Sequence, residues 1–208
     1  IINDKIVPFY QPIFNKEKQI VKYETLIRIQ NSNEIISPSV FLEVSKRIKR
    51  YTDIEKMLIE KSFKLIKDKP SAIISVNLSG RDMTDGDVSA FIIERLNRYK
   101  IASRVIFEIL EDENIENIER IGAFIERVRR MGAKIAIDDF GSGYSNFSYI
   151  LKLKPDYIKI DGSIIKNIDS SEDSRAIASA IIAFANQLDI TVIAEFVHSK
   201  EVFDTCVS

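Results

Sequence analysis

The chain has 208 residues, with 30 Lys and Arg against 31 Asp and Glu, a length suited to one large α/β domain and a charge balance with no general attraction to DNA, RNA or a membrane surface. Hydrophobic residues make up 45% of it, and 7 Gly with 5 Pro are too few for a disordered or low-complexity chain. Cys206 has no second cysteine to pair with, no run approaches roughly 18 apolar residues and nothing at the start reads as an export signal, which excludes a disulfide scaffold and a membrane span and makes the cytoplasm the expected compartment.

In chain order, seven β-rich runs are expected as strands: residues 6–14, 20–29, 73–78, 105–109, 134–138, 157–160 and 191–194. Residues 15–19 alone separate the first two, too few for a parallel crossover, so these two must form an antiparallel hairpin. Amphipathic segments at 39–67, 88–100, 115–130 and 174–188 carry apolar residues at helical spacing. Helix starts are marked by Ser37-Pro38, by Thr84 ahead of Asp85 and Asp87, and by Ser170 or Ser171 ahead of Glu172 and Asp173. The alternation predicts a parallel sheet covered by helices, in one domain without repeat or linker. Residues 199–208 read as a closing helix. If the fold is an eight-stranded β/α barrel, its last strand and helix are missing from this chain.

Polar residues interrupt the strands in a pattern. Period-two alternation over 21–29 puts Glu24, Leu26 and Arg28 on one face and Tyr23, Thr25 and Ile27 on the other. Asn77 and Glu108 stand at the ends of the next two strands, Asp138-Asp139 follows Ile135-Ala136-Ile137, and Glu195 follows Ala194. Five strands thus deliver an acid or amide at or near their carboxyl ends, where α/β folds bind ligands. Singly, each reads as a cap, a turn residue or a solvated charge. Together they would repel and raise one another's pKa unless cations neutralised them. Oxygen-only ligands suit Mg²⁺, Mn²⁺ or Ca²⁺, and one histidine, His198, with one cysteine cannot make a dedicated zinc site. Neighbours in a regular strand face opposite ways, so Asp138 and Asp139 can serve one site only if the chain bends, for which Gly141 is the expected place. The following Gly141-Ser142-Gly143 is either a phosphate-facing turn or a plain one. Lys159, between two isoleucines, is either paired with a carboxylate for structural reasons or placed to act on a substrate.

Tyr23-Glu24-Thr25-Leu26-Ile27-Arg28 resembles the Glu-Ala-Leu signature of EAL-domain cyclic di-GMP phosphodiesterases, with Thr25 in place of the usual alanine. Tyr10-Gln11-Pro12-Ile13, Val76-Asn77-Leu78-Ser79, Phe107-Glu108-Ile109-Leu110-Glu111, residues 138–145 and Ile158-Lys159-Ile160-Asp161 follow in the family's order, so the resemblance runs from about Val7 to Val197. It implies a modified TIM-type β/α barrel with an antiparallel first strand, here C-terminally incomplete. It implies a two-ion Mg²⁺ or Mn²⁺ site with Glu24, Asn77, Glu108 and Asp138 around one ion and Asp138, Asp139 and Glu195 around the other. Lys159 would contact or help activate the attacking water, Glu111 would hold the loop after Asp139, Arg28 would bind a substrate phosphate, and Gln11, Leu26 and Pro38 would line the substrate groove. Glu195-Phe196-Val197-His198 departs from the family's Glu-Gly-Val-Glu, losing a glycine and a second acid.

The expected activity is metal-dependent hydrolysis of cyclic di-GMP to linear pGpG in bacterial second-messenger signalling. The alternatives are a catalytically impaired receptor for cyclic di-GMP and a protein-interaction module. The resemblance also implies homodimerisation through the segment after Asp139 and fusion to sensory or GGDEF-type domains, in the cytoplasm or as the cytoplasmic part of a membrane-anchored protein. His198 is expected in a surface loop.

Overall fold

The computed structural model describes residues 5–31, 34–110, 118–143 and 147–208. β1 (Ile6–Phe14) and β2 (Ile20–Asn31) form the antiparallel hairpin that their short connection demands, with Gln11 opposite Glu24. Asn15 closes the turn: its side-chain oxygen accepts from the Gln19 backbone N–H at 2.8 Å. A three-residue strand, β3 (Glu34–Ile36), pairs antiparallel with the end of β2. It is too short to show an alternation and was not expected from the sequence.

From there the sheet is parallel. β4 (Ile74–Asn77), β5 (Val105–Leu110), β6 (Lys134–Phe140), β7 (Tyr157–Ile160) and β8 (Thr191–Ala194) follow β2 in the order β1-β2-β4-β5-β6-β7-β8, and the sheet curls as a half-barrel. Among the described residues β1 pairs only with β2, and β8 only with β7. Each strand is two-faced. Ile74, Val76, Phe107, Ile135, Ile137 and Ile158 point into a core shared with the helices, where Phe107 meets Phe124 edge to face at 5.9 Å. The opposite, concave face carries Glu24, Glu108, Asp138 and Lys159. A smaller apolar cluster of Ile6, Ile27, Phe41, Ile54 and Leu58 fastens the hairpin to the first helices.

The helices are α1 (Pro38–Arg47), α2 (Tyr51–Lys67), α3 (Gly80–Thr84), α4 (Gly86–Tyr99), α5 (Ile118–Arg130), α6 (Phe147–Leu153), α7 (Gly162–Ile165), α8 (Glu172–Gln187) and α9 (Lys200–Val207). The expected single helix over 39–67 is two, because Lys49 takes a left-handed φ of 57° and turns the chain between them. No glycine or proline marks that break, and the apolar spacing runs on through it. The cap expected at Thr84 is instead Asp85, whose carboxylate accepts from the N–H groups of Asp87 and Val88. Thr84 ends α3, donating its hydroxyl to the Gly80 carbonyl at 2.8 Å. Ser171 caps α8 through the Ser174 N–H, and Ser199 caps α9 through the Val202 N–H.

The exit of β4 is pinned by a buried network. Asp82 Oδ2 accepts from Tyr51 Oη (3.0 Å), from Ser79 Oγ (2.6 Å) and from the Ser79 N–H (3.0 Å), and the Asp82 N–H returns to Ser79 Oγ, a complete capping box. Glu55 of α2 is only 6% exposed nearby. Burial and then the Asp82 charge push its carboxyl from the ordinary 4.5 up to about 8. A carboxyl whose folded pKa exceeds its unfolded one binds its proton more tightly in the native state, so its burial weakens folding as pH rises. We expect stability to decline between pH 4.5 and 8 by about 1 kcal/mol per pH unit from this group. Urea titrations at pH 5 and pH 8 check this: Glu55→Gln should flatten the decline, and an unchanged slope would refute the assignment.

Candidate active site

The carboxyl ends of the parallel strands bring the predicted acids together. Lys159, 2% exposed, extends its ammonium from β7 into the middle of the concave face. Its Nζ lies 2.7 Å from Asp138 Oδ1, 2.9 Å from Glu195 Oε1, 3.1 Å from Glu108 Oε2 and 3.3 Å from Glu24 Oε2. Of the two readings of this lysine, the structure shows the pairing, and its partners are the acids of the cluster. Desolvation alone would depress its pKa, but the four carboxylates outweigh that and push it well above the usual lysine value. Glu108 is pushed up to about 7 by burial, with Lys159 opposing and Glu24 and Asp138 adding to the rise. Glu195 is likewise raised to about 7, first by burial. Too much negative charge is gathered here for one ammonium to settle.

Two groups of ligand atoms lie within 4.8 Å of one another: Glu24, Glu108 and Asp138, and Asp138, Asp139 and Glu195. They share Asp138. Its buried Oδ1 lies 2.7 Å from the Lys159 ammonium, so the oxygen at the junction of the two groups already faces a positive charge. Asn77 stands beside the first group and donates Nδ2 to Glu24 Oε1 at 3.4 Å. All-oxygen donors around a shared carboxylate fit hard divalent ions.

Asp139 joins Asp138 by a device that the sequence misplaced. The bend is at Asp139 itself, with φ of 53°, and the β6 to β7 register slips between Ile137 and Phe140. This bulge turns two successive side chains to one rim, and aspartate is among the few non-glycine residues that enter the left-handed region readily. Burial, then the Asp138 charge, raises the Asp139 carboxyl. Gly141 comes after the bend, at φ of 92°, where a Cβ would lie 2.6 Å from Ile164 Cδ1. Its glycine serves the turn and the close packing on α7. Tyr144 and Ser145 of the same motif, residues 115–117 of the expected helix and Glu111 lie outside the described residues.

A cavity of about 1460 Å³ opens beside the cluster between β1 and β8, with Gln11, Glu24, Lys159, Glu195, Phe196 and His198 on its lining. Of the residues expected along the substrate groove or on its phosphate, Gln11 lines this cavity, while Leu26, Arg28 and Pro38 do not. Arg28 lies on the Glu24 face of β2, donates Nη1 to the Ile27 carbonyl at 2.8 Å and holds its guanidinium 5.7 Å from the Phe9 ring. His198 is an exposed loop residue, as expected. Sequence reasoning missed the Tyr51, Ser79 and Asp82 network behind Asn77, although Ser79-x-x-Asp82 has the spacing of a capping box.

A sequence model described as the EAL domain matches residues 1–207. The cyclic di-GMP phosphodiesterase PdeB of Shewanella oneidensis is 31% identical over 98% of this chain and 25% of its own length. The EAL enzyme Bd1971, solved in its cAMP- and cyclic-di-GMP-bound form, is 27% identical with a TM-score of 0.89, covering 99% of this chain and 58% of its own. A Vibrio cholerae LapD S helix-GGDEF-EAL structure bound to c-di-GMP shares the fold at 19% identity and a TM-score of 0.87, over 99% of this chain and 51% of its own. The chain spans about a quarter of the length of the first curated relatives it matches. Matched along nearly its whole length, this chain belongs to the EAL domain family.

Proposed function

We propose that the chain is one EAL-type domain that hydrolyses cyclic di-GMP to linear pGpG with the help of two divalent cations, Mg²⁺ or Mn²⁺. The observation that carries this reading is the pair of carboxylate groups sharing Asp138 around a buried lysine, in a chain of this family. Glu24, Asn77, Glu108 and Asp138 would hold one cation, and Asp138, Asp139 and Glu195 the other. When bound, the cations supply Lewis acidity that polarises the phosphodiester and lowers the pKa of the attacking water. Lys159 would contact the attacking water or a phosphate oxygen through its ammonium and help activate the water. Arg28 offers a planar fork to a non-bridging oxygen once it swings off Phe9. Gln11, Leu26 and Pro38 would line the path of the substrate, and Glu111 would steady the loop after Asp139. Water would add across the P–O3′ bond, its oxygen joining phosphorus as O3′ leaves and the proton it gives up balancing the one that O3′ takes, so no residue becomes covalently attached.

A second reading, a receptor that binds cyclic di-GMP without cutting it, is favoured by the altered turn after Glu195, where Phe196 holds φ of 54°. Cyclic di-GMP incubated with Mn²⁺ should give pGpG, and chelator should stop it; tight binding with no product in Mn²⁺ would favour the receptor. A cytoplasmic setting, homodimerisation through the segment after Asp139 and attached sensory or GGDEF-type domains belong to the same reading, the last supported by the domain composition of LapD.

Glu24→Ala should abolish metal-dependent turnover with the far-ultraviolet circular dichroism spectrum unchanged, and retained turnover would remove the metal assignment. Arg28→Ala should raise KM more than it lowers kcat in steady-state assays. In metal-free buffer Lys159→Met leaves the buried carboxylates without their ammonium, and denaturant titration should register a loss of about 3–5 kcal/mol. Mn²⁺ should restore much of that loss. If Mn²⁺ stabilises neither this variant nor the parent, the carboxylates do not hold it.

A further inference from the structure

Phe196 breaks two habits of aromatic side chains. Its backbone holds φ of 54°, a region that bulky L-residues avoid, and it is 65% exposed, the highest value among the large exposed hydrophobic residues described. Outliers of this kind persist where the surroundings fix them and gather at ligand sites. The surroundings do fix this one. Gly162, at the start of α7, is overlaid by the Phe196 side chain, and a Cβ on Gly162 would come within 2.8 Å of Phe196 Cβ. The His198 ring leans on Phe196 at 5.3 Å between centroids and 41° between planes, and His198 Nδ1 lies 3.2 Å from the Phe196 carbonyl oxygen. One ring neighbour therefore still leaves most of the phenyl open to solvent. Both rings line the cavity that also holds Glu24, Lys159 and Glu195.

We propose that Phe196, braced by Gly162 and His198, is a stacking platform for one guanine base of the bound cyclic dinucleotide. The inference rests on the cyclic di-GMP reading above and adds to it a residue that holds the base by stacking. A phosphodiester seated at the Glu24 to Glu195 cluster must carry its purines outward past the rim, and Phe196 is one residue beyond Glu195 along that rim. A phenyl ring offers any purine a π face with little conformational entropy to lose, so the contact contributes to affinity without hydrogen-bond readout. The substitution that cost this chain a flexible glycine thereby supplies a surface for the base.

The test is direct binding of the phosphorothioate analogue of cyclic di-GMP, which resists cleavage, in the presence of Mn²⁺. Phe196→Leu keeps apolar bulk and loses the ring, and should bind about tenfold more weakly, while Phe196→Trp should bind at least as tightly as the parent. The chain contains no tryptophan, so Phe196→Trp also sets a lone emitter at this position, and its fluorescence should be quenched on binding. A merely structural role for the ring would not produce that quenching. Parental binding with undiminished affinity in Phe196→Leu, or unchanged emission from Phe196→Trp at saturation, overturns the stacking proposal and leaves the cyclic di-GMP reading standing. No binding by the parent overturns both.

Discussion

The concave face of this sheet depends on one balance of charge: a buried ammonium, Lys159, holding carboxylates that arrive on separate strands. A lysine in the middle of a short buried strand is costly, and so is each acid that faces it. Neither is tolerable alone. Glu24 comes from the hairpin, Glu108 and Asp138 from adjacent parallel strands and Glu195 from the end of β8, so the lysine also ties together parts of the chain that are distant in sequence. It leaves the cluster with surplus negative charge, which is why burial and mutual repulsion lift Glu108 and Glu195 toward neutrality. Such a cluster is poised for cations.

Around this centre the fold separates its tasks. Aliphatic residues on the helix-covered side of each strand make the core, and the alternate positions are free to carry polar groups without weakening it. Behind Asn77, the Tyr51, Ser79 and Asp82 network holds the strand exit by saturating a single buried carboxylate oxygen with three donors. The amide that faces Glu24 thus projects from a fixed backbone.

Much of this was legible in the sequence, and for physical reasons. A five-residue connection allows only a hairpin, and acids at the ends of apolar strands are conspicuous because alternation and burial leave few other reasons for them. What escaped was local backbone geometry. The division between α1 and α2 turns on Lys49, a residue type that carries no turn signal, and β3, α3 and α7 are too short to impose a period on the sequence. Gly141 attracted the bend because glycine is the usual bearer of positive φ, yet Asp139 bears it first. Side-chain reach escaped as well: alternation correctly sets Arg28 on the Glu24 face, but it could not foresee that the guanidinium would rest near Phe9.

The slip in β6 has an effect on the other side of the sheet. Strict alternation after Asp138 would turn Phe140 toward the acids; with the extra residue absorbed at Asp139, Phe140 is instead fully buried against the helices, 5.6 Å from the Phe147 ring and level with Ile160. Removing the bulge would therefore do more than separate the two aspartates: it would expel a phenylalanine from its socket. Hydrophobic burial on one side thus underwrites an unfavourable backbone angle on the other, and the acidic pair is secured by a residue that never touches it.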